Sequence, residues 1–194
     1  MARLKLGVLI SGRGSNLQSL IDACADPAFP AEIVLVISNI PNVQGLDRAE
    51  KANIPTKTIN HKDYDAREKF DQALTETLQQ AGVELVCLAG FMRIVTAQFL
   101  AHWPDQVINI HPSLLPAFKG IHVHERVIEA GVKFSGCTVH YVVPEMDAGP
   151  IITQACVPVK DEDTPDTLAA RVLEQEHVIY PLAVRLIAEK RLQQ

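Results

Sequence analysis

Short apolar runs alternate with helix-forming patterns through more than half of this chain, and that alternation constrains the fold more than any other feature. Five runs have the length and composition of buried strands: Lys5 to Ile10, Ile33 to Ser38, Ile54 to Ile59, Leu85 to Ala89 and Val107 to Ile110. Between these runs, apolar residues recur at helical spacing, as at Leu17, Leu20 and Ile21. The alternation predicts an α/β fold with a mostly parallel sheet covered by helices on both faces.

The pattern changes in the last third of the chain. Cys137 to Val143 and Ile151 to Val157 resemble strands and are separated by a loop rich in proline and glycine. These two strands either extend the sheet in antiparallel fashion or flank a site as a pair. We find no linker, repeat or low-complexity segment, so we expect one domain over residues 1–194.

Two long helices carry recognisable boundary signals. The apolar positions from Phe70 to Ala81 predict an amphipathic helix, with Asp63 as its cap and Gly82 as its stop. Thr164 followed by Pro165 opens a long final helix, because threonine caps helices and proline suits the first turn. Pro181 is expected to kink that final helix.

Composition excludes several classes of protein. The 194 residues are 47% hydrophobic and 21% charged, which is typical of a globular protein with a substantial core. The net charge is -5, and lysine and arginine form no cluster, so a nucleic-acid surface is not expected. No apolar run is long enough to span a membrane, and the amino terminus shows no signal-peptide pattern, so we expect a cytoplasmic protein.

The cysteines do not form a recognisable metal or disulfide pattern. The four of them, Cys24, Cys87, Cys137 and Cys156, are scattered, with no Cys-x-x-Cys and no histidine at metal spacing. We interpret all four as reduced thiols of the core, where free cysteine packs as a small apolar side chain. No metal is expected.

The stretch from Asn109 to Pro116, Asn-Ile-His-Pro-Ser-Leu-Leu-Pro, carries the clearest chemistry. Asn109 and His111 are two residues apart, so on an extended backbone they project from one face of a strand end. An amide and an imidazole side by side can donate hydrogen bonds to an oxyanion and move a proton. The alternative is a strand end whose polar side chains satisfy loop backbone.

A glycine-rich turn, Gly12-Arg13-Gly14-Ser15-Asn16, follows the first predicted strand and opens the first helix. Glycine lets the backbone approach a ligand, and amides at a helix start favour an anion. The pattern is neither Gly-x-Gly-x-x-Gly nor a P-loop with its lysine. It therefore favours a small phosphomonoester over a dinucleotide, with an ordinary strand-to-helix turn as the alternative.

Two further segments are candidates for the same cleft. Gly90 to Val95 combines apolar side chains with Arg93 and could line a flat aromatic pocket while offering a cation to a carboxylate. Asp147 lies in a loop rich in glycine and proline. It is either a turn former or, beside His111, the group that holds the imidazole and favours its protonated form.

The other histidines are interpreted conservatively. His61 and His102 lie in polar surroundings typical of the surface, and His140 is expected to be a satisfied histidine of a buried strand. His122 and His124 flank a turn before a helix and receive no role.

Several motifs together resemble the folate-dependent formyltransferases. Besides Asn109 to Pro116, the resembling segments are Ser11 to Asn16, Leu88 to Ile94, Met146 to Ile152 and Gln175 to Pro181. They occur in the family's order along nearly the whole chain, and they are most similar to the branch that acts in purine biosynthesis. The resemblance implies a single-domain, Rossmann-like formyltransferase fold. It also implies transfer of a formyl group from the co-substrate 10-formyltetrahydrofolate to the amine of N1-(5-phospho-D-ribosyl)glycinamide.

The resemblance also assigns roles to residues. It implies catalysis by Asn109, His111 and Asp147, with the acceptor bound by the amino-terminal part and by Glu176 in the final helix. The implied acceptor-binding residues are Gly14, Ser15, Asn16 and Glu176, with phosphate on the first three and ribose on the last. The implied folate-binding residues are Arg67, Met92, Arg93, Ile94, Val95, Asn109, Val143, Pro144, Glu145, Met146 and Asp147.

Three other functions compete with this hypothesis. A methionyl-tRNA formyltransferase would need an additional RNA-binding domain, and a formyltetrahydrofolate deformylase usually has an additional regulatory domain. A non-catalytic nucleotide-binding module would keep the glycine-rich turn but would not explain Asn109, His111 and Asp147 together. We expect small-molecule partners, no nucleic acid, no membrane, and a monomer or homodimer.

Overall fold

A computed structural model describes residues 3–192 of the chain. Within that range the chain forms a seven-stranded sheet and six α-helices. The strands are β1 (Leu4–Ile10), β2 (Ala31–Ser38), β3 (Thr56–Thr58), β4 (Leu85–Leu88), β5 (Val107–His111), β6 (Phe134–Tyr141) and β7 (Ile151–Pro158). The helices are α1 (Ser15–Cys24), α2 (Gln44–Lys51), α3 (Arg67–Gln80), α4 (Ala97–His102), α5 (Val123–Glu129) and α6 (Pro165–Leu192).

The sheet combines a parallel part with an antiparallel extension. Its strand order is β3-β2-β1-β4-β5-β6-β7. The pairs from β3 to β5 are parallel, whereas β6 runs antiparallel to both β5 and β7. This order confirms the mostly parallel sheet, and it decides for the antiparallel extension over a separate pair of strands.

Helices cover both faces of the sheet, as the alternation of strand and helix predicted. One buried cluster in the described part of the chain unites one sheet face with α1, α2, α5 and α6. A second cluster unites the opposite face with α3 and α4. Strand β1 supplies both clusters because successive side chains alternate: Val8 and Ile10 lie in the first, and Leu9 in the second.

The helix boundaries were predicted with mixed success. Helix α3 begins at Arg67, so the prediction that Asp63 caps it is wrong: Asp63 ends a short 3₁₀ turn four residues before the first residue of that helix. The stop at Gly82 is confirmed, since its φ of 69° is the left-handed conformation that glycine favours. The Thr164 cap is confirmed too, because its hydroxyl accepts a hydrogen bond from the Thr167 N–H at 3.2 Å.

The predictions about α6, the cysteines and membrane spans have different outcomes. Helix α6 runs through Pro181 as one helix, and a kink there stays a prediction. The four cysteines are free, but the expectation that all lie in the core is wrong, because Cys156 is exposed on β7 and Cys24 is only half-buried. Among residues 3–192, no helix combines the length and apolarity needed to cross a membrane.

Candidate active site

Loops from the carboxyl ends of several strands gather at one edge of the sheet. Ser11, directly after β1, links two of them: its hydroxyl donates to Asn39 Oδ1 after β2 at 2.6 Å and accepts from the Met92 N–H after β4 at 2.8 Å. Asn109 and His111 end β5 beside them. This edge is where ligands bind in open parallel sheets.

The glycine-rich turn is shaped by Gly14. Gly14 has a φ of 70° and stands at the start of α1, with its carbonyl accepting the Gln18 N–H at 2.9 Å. A Cβ added to Gly14 would lie 2.7 Å from the Gly45 Cα, so the turn and α2 fit together only when residue 14 has no side chain. No side chain in the described part of the chain caps α1, which leaves its first amides open to a ligand.

Asn16 and Glu176 form a buried pair beside this turn. Asn16 Nδ2 donates to Glu176 Oε2 at 2.7 Å, which joins α1 to α6 across 160 positions of sequence. Burial raises the pKa of the Glu176 carboxyl, and the hydrogen bond from Asn16 opposes that shift. Asn16 Oδ1 is buried without a partner among residues 3–192. Two predicted acceptor-binding residues are thus adjacent.

Asn109 and His111 project from the same face of β5, as predicted. Asn109 is half-buried and His111 is buried. Their neighbours on β6 are His140 opposite Asn109 and Thr138 opposite His111. Within residues 3–192 the Asn109 side chain makes no hydrogen bond, so its amide is free to donate to a ligand.

Asp147 lies beside His111. Its Oδ2 is 3.5 Å from His111 Nδ1 and accepts the Gly120 N–H at 2.9 Å. Asp147 has a φ of 50°, a conformation that aspartate and asparagine tolerate better than most residues. The carboxylate is therefore both the turn former and the partner of His111, so the two alternatives from the sequence are not exclusive.

The second nitrogen of His111 is also engaged. His111 Nε2 is 2.9 Å from the Phe118 carbonyl oxygen, and a carbonyl can only accept, so Nε2 carries the proton. Both ring nitrogens thus face acceptor oxygens. His111 can donate to an oxyanion only after releasing one of these two partners.

His140 belongs to this group, although it was predicted to be a satisfied strand histidine. It is buried, and its Nδ1 donates to the Tyr141 carbonyl at 2.9 Å, but its Nε2 has no hydrogen-bond partner in the described residues. That Nε2 lies 3.8 Å from Asp147 Oδ1. Burial lowers the pKa of His140, outweighing the Tyr141 bond and the Asp147 charge, which raise it. The pairing of β6 with β5 brings His140 here, and the sequence left that pairing open as one of two alternatives.

The Gly90–Val95 segment presents a mixed surface to the same edge. Met92 and Ile94 are 76% and 57% exposed, whereas Val95 is buried. The Arg93 guanidinium lies 5.9 Å from the centre of the Phe70 ring on α3. The exposed side chains of Met92 and Ile94 form an apolar surface beside the Arg93 cation. A flat ligand that carries a carboxylate could cover this surface.

The remaining predicted residues lie at the margins of this edge. Arg67 is exposed at the first position of α3. The loop after β6 holds Val143, which is half-buried, and Pro144, Glu145 and Met146, which are exposed. Glu145 lies 3.9 Å from the Lys119 ammonium, so the loops after β5 and β6 are in contact at Glu145 as well as at Asp147.

The other histidines match expectation in part. His102 is exposed, as predicted, but His61 is half-buried with Nδ1 3.0 Å from the Asn39 carbonyl oxygen. His122 is exposed before α5, and His124 is half-buried, which lowers its pKa. No group of three or more histidine, cysteine, aspartate or glutamate side chains in residues 3–192 is arranged to hold a metal ion.

Comparison with known proteins identifies relatives of this site. The sequence profile of the formyl transferase family matches residues 4–184. The trifunctional purine biosynthetic protein adenosine-3 of Gallus gallus is 52% identical over 191 residues, which are 98% of this chain and 19% of that protein. The phosphoribosylglycinamide formyltransferase of Escherichia coli (strain K12) is 43% identical over 189 residues, which are 97% of this chain and 89% of that protein.

A solved structure agrees with these relatives. The crystal structure of glycinamide ribonucleotide transformylase 1 from Symbiobacterium toebii superposes with a TM-score of 0.95 at 48% identity, covering 97% of this chain and 89% of that one. This chain spans about a fifth of the length of the trifunctional relatives. The profile match and the near-complete coverage establish that the chain belongs to the formyl transferase family.

Proposed function

We propose that this chain transfers the formyl group of 10-formyltetrahydrofolate to the amine of N1-(5-phospho-D-ribosyl)glycinamide. The products are the N2-formyl compound and tetrahydrofolate, in the purine (IMP) pathway. The observation that carries the proposal is the convergence of Asn109, His111 and Asp147 at one strand end, within the same edge as the Gly14 turn. Relatives named phosphoribosylglycinamide formyltransferase support it at 43–44% identity over nearly the whole chain.

In the proposed reaction the acceptor amine attacks the formyl carbon. The carbonyl oxygen becomes an oxyanion, which the free amide of Asn109 stabilises by hydrogen bonding. The bond from the formyl carbon to N10 of the folate then breaks as a proton leaves the amine and reaches N10. Holding both substrates in one cleft supplies proximity, and a positioned proton donor contributes about 10²–10⁴-fold in rate.

His111 and Asp147 act together in this scheme. Asp147 faces Nδ1, so the imidazole reaches the oxyanion through Nε2, and Nε2 must first release the Phe118 carbonyl. Asp147 balances the charge of the protonated ring and assists the passage of the amine proton. The same carboxylate accepts the Gly120 N–H, so the loop after β5 is hydrogen-bonded to a residue of the proposed mechanism.

The two substrates bind on either side of these groups. We place the acceptor phosphate on the amides and side chains of Gly14, Ser15 and Asn16, and its ribose hydroxyls on Glu176. The folate lies against the Gly90–Val95 segment and the Val143–Asp147 loop, with Arg67 near its tail. We name Gly90–Val95 the folate segment. All four cysteines are free, which fits the reducing cytoplasm, where we place this activity.

A formyl-transfer assay tests the proposal. Purified protein is mixed with 10-formyltetrahydrofolate and N1-(5-phospho-D-ribosyl)glycinamide, and loss of the formyl folate and gain of formylated acceptor are followed together. Parallel reactions without acceptor and with methionyl-tRNA separate transfer from hydrolysis and from the competing formyltransferase. Turnover that proceeds equally without acceptor, or only with the tRNA, would contradict the proposal.

A further inference from the structure

Asp71 is a buried carboxylate on the apolar side of α3. It is 3% exposed, and its helix neighbours Phe70 and Leu74 belong to the core cluster between α3, α4 and the sheet. Leucine at this position would incur no penalty for losing water, whereas a carboxylate does unless it is hydrogen-bonded. A buried aspartate at this position therefore needs a hydrogen-bond donor, which an apolar side chain could not accept from.

That partner is the backbone at the end of the folate segment. Asp71 Oδ2 accepts the Thr96 N–H at 2.6 Å. Thr96 in turn caps α4, because its hydroxyl accepts the Phe99 N–H at 3.1 Å. Burial raises the pKa of Asp71, and its bonds to Thr96 oppose that shift. Asp71 thus fixes the junction between the folate segment and α4 to the rigid helix α3.

Contacts with α3 and with Ser11 anchor the beginning of the folate segment. Phe91 stacks on Phe70 with ring centres 6.5 Å apart and an interplanar angle of 10°. The Met92 N–H donates to the Ser11 hydroxyl at 2.8 Å. Both anchors hold the beginning of the segment, so the Asp71 bond is the polar contact that holds its end.

The side chains between these anchors are the ones proposed to meet the folate. Met92 and Ile94 stay in solvent, where apolar surface is unfavourable, while Val95 turns into the core. A segment that presents apolar side chains outward can relax by folding them inward unless both its ends are fixed. A segment held at both ends keeps the pocket wall formed before the ligand arrives.

We propose that Asp71 is a positioning residue for co-substrate binding: by accepting the Thr96 N–H, it holds the folate segment in its binding conformation. This inference rests on the proposed function and adds to it a residue that does not touch the folate. It concerns one substrate only, since the Gly14 turn and Glu176 have their own contacts with α1, α2 and α6. The expected consequence is a selective loss of folate affinity.

Three substitutions separate positioning from stability. Asp71→Leu and Asp71→Ala remove the acceptor, and the smaller side chain covers the case in which leucine does not fit. Asp71→Asn keeps a side-chain oxygen that can accept the Thr96 N–H. Glu76→Gln is the matched control, because it removes an exposed carboxylate from the same helix.

Calorimetric titration with a non-transferring folate analogue, and separately with the acceptor, measures the effect in each folded protein. We expect Asp71→Leu and Asp71→Ala to bind the analogue about tenfold more weakly and the acceptor within about twofold of wild type. Asp71→Asn should recover most of the lost folate affinity, and Glu76→Gln should match wild type. Hydrogen exchange should be faster at the Thr96 amide in the two variants that lack the acceptor.

Several results would overturn the inference. Folate affinity within about twofold of wild type in Asp71→Ala, or equal losses for both ligands, would assign Asp71 to stability alone. Failure of Asp71→Asn to recover affinity would exclude the Thr96 bond as the cause. Wild-type protein that bound no folate would overturn the proposed function and this inference together, whereas wild-type binding with an unselective Asp71→Ala would overturn the inference only.

Discussion

Replacing Gly14 by alanine tests the shape of the turn that we assign to the acceptor phosphate. Gly14 has a φ of 70°, and placing an alanine in that left-handed conformation costs about 1–2 kcal/mol. The new Cβ would also lie 2.7 Å from the Gly45 Cα, and overpacking of this kind costs about 1–3 kcal/mol. The two terms together predict a loss of about 2–5 kcal/mol in the free energy of unfolding.

Urea denaturation measures this loss. With a slope of about 2–3 kcal/mol per molar urea, the midpoint should fall by about 0.7–2.5 M in Gly14→Ala. Gly12→Ala is the matched control for stability, because a Cβ at residue 12 meets no atom within 4 Å. Equal midpoints for the two variants would refute the reasoning from φ and contact.

The same variant tests the separation of the two substrates. Since the phosphate is proposed to contact the Gly14 turn, Gly14→Ala should weaken acceptor binding while the folate analogue binds normally. Larger replacements such as Gly14→Val should increase the selective effect. Calorimetric titrations of folded protein with each ligand decide the matter, and equal losses for both would contradict a separate phosphate site.

Further predictions concern the groups around the reacting carbon. Asn109→Ala and His111→Ala should each lose about 2.7–4 kcal/mol of transition-state stabilisation in kcat/KM, and the double variant should lose less than the sum because both serve one oxyanion; near-normal turnover in folded His111→Ala would contradict the mechanism. Asp147→Asn fits the left-handed backbone and should keep ligand binding, yet turn over much more slowly in steady-state assays; normal turnover would show that the carboxylate charge is not used. Glu176 has a raised pKa, so its ionisation destabilises the folded state as pH rises from about 4 towards 7. Glu176→Gln, which keeps an acceptor for Asn16, should therefore gain stability over wild type at pH 7 and not at pH 4 in denaturation experiments.

The elements of the fold were predictable where their signals are local. Strands β1, β2, β4 and β5 are short apolar runs, and each was placed to within two residues at either end. The cap at Thr164 depends on neighbouring residues and was also predicted. The start of α3 was missed because Asp63 has the right residue type for a cap, while the chain forms a 3₁₀ turn there before the helix begins.

The site was predictable in membership but not in its contacts. Asn109, His111 and the Gly14 turn stand out because each combines a strand end with polar or glycine residues. The nearness of Asp147 to His111 depends on β6 returning antiparallel beside β5 and was expected from family resemblance rather than from the residues. The burial of Cys156 was predicted wrongly. Its apolar neighbours in sequence suggested a core position, but β7 is an edge strand and leaves the side chain exposed.

Asp147 lies between two histidines whose surroundings differ. His140 is buried, its Nδ1–H is held by the Tyr141 carbonyl, and burial lowers its pKa, so the ring is neutral at pH 7 with a lone pair on Nε2. His111 has acceptor oxygens at both nitrogens and can carry two protons. The Asp147 carboxylate therefore has a neutral neighbour in His140 and a separate contact with Nδ1 of His111. Because a neutral His140 carries only the Nδ1–H held by the Tyr141 carbonyl, our proposed mechanism assigns to the His111–Asp147 pair the passage of the proton from the reacting amine to N10.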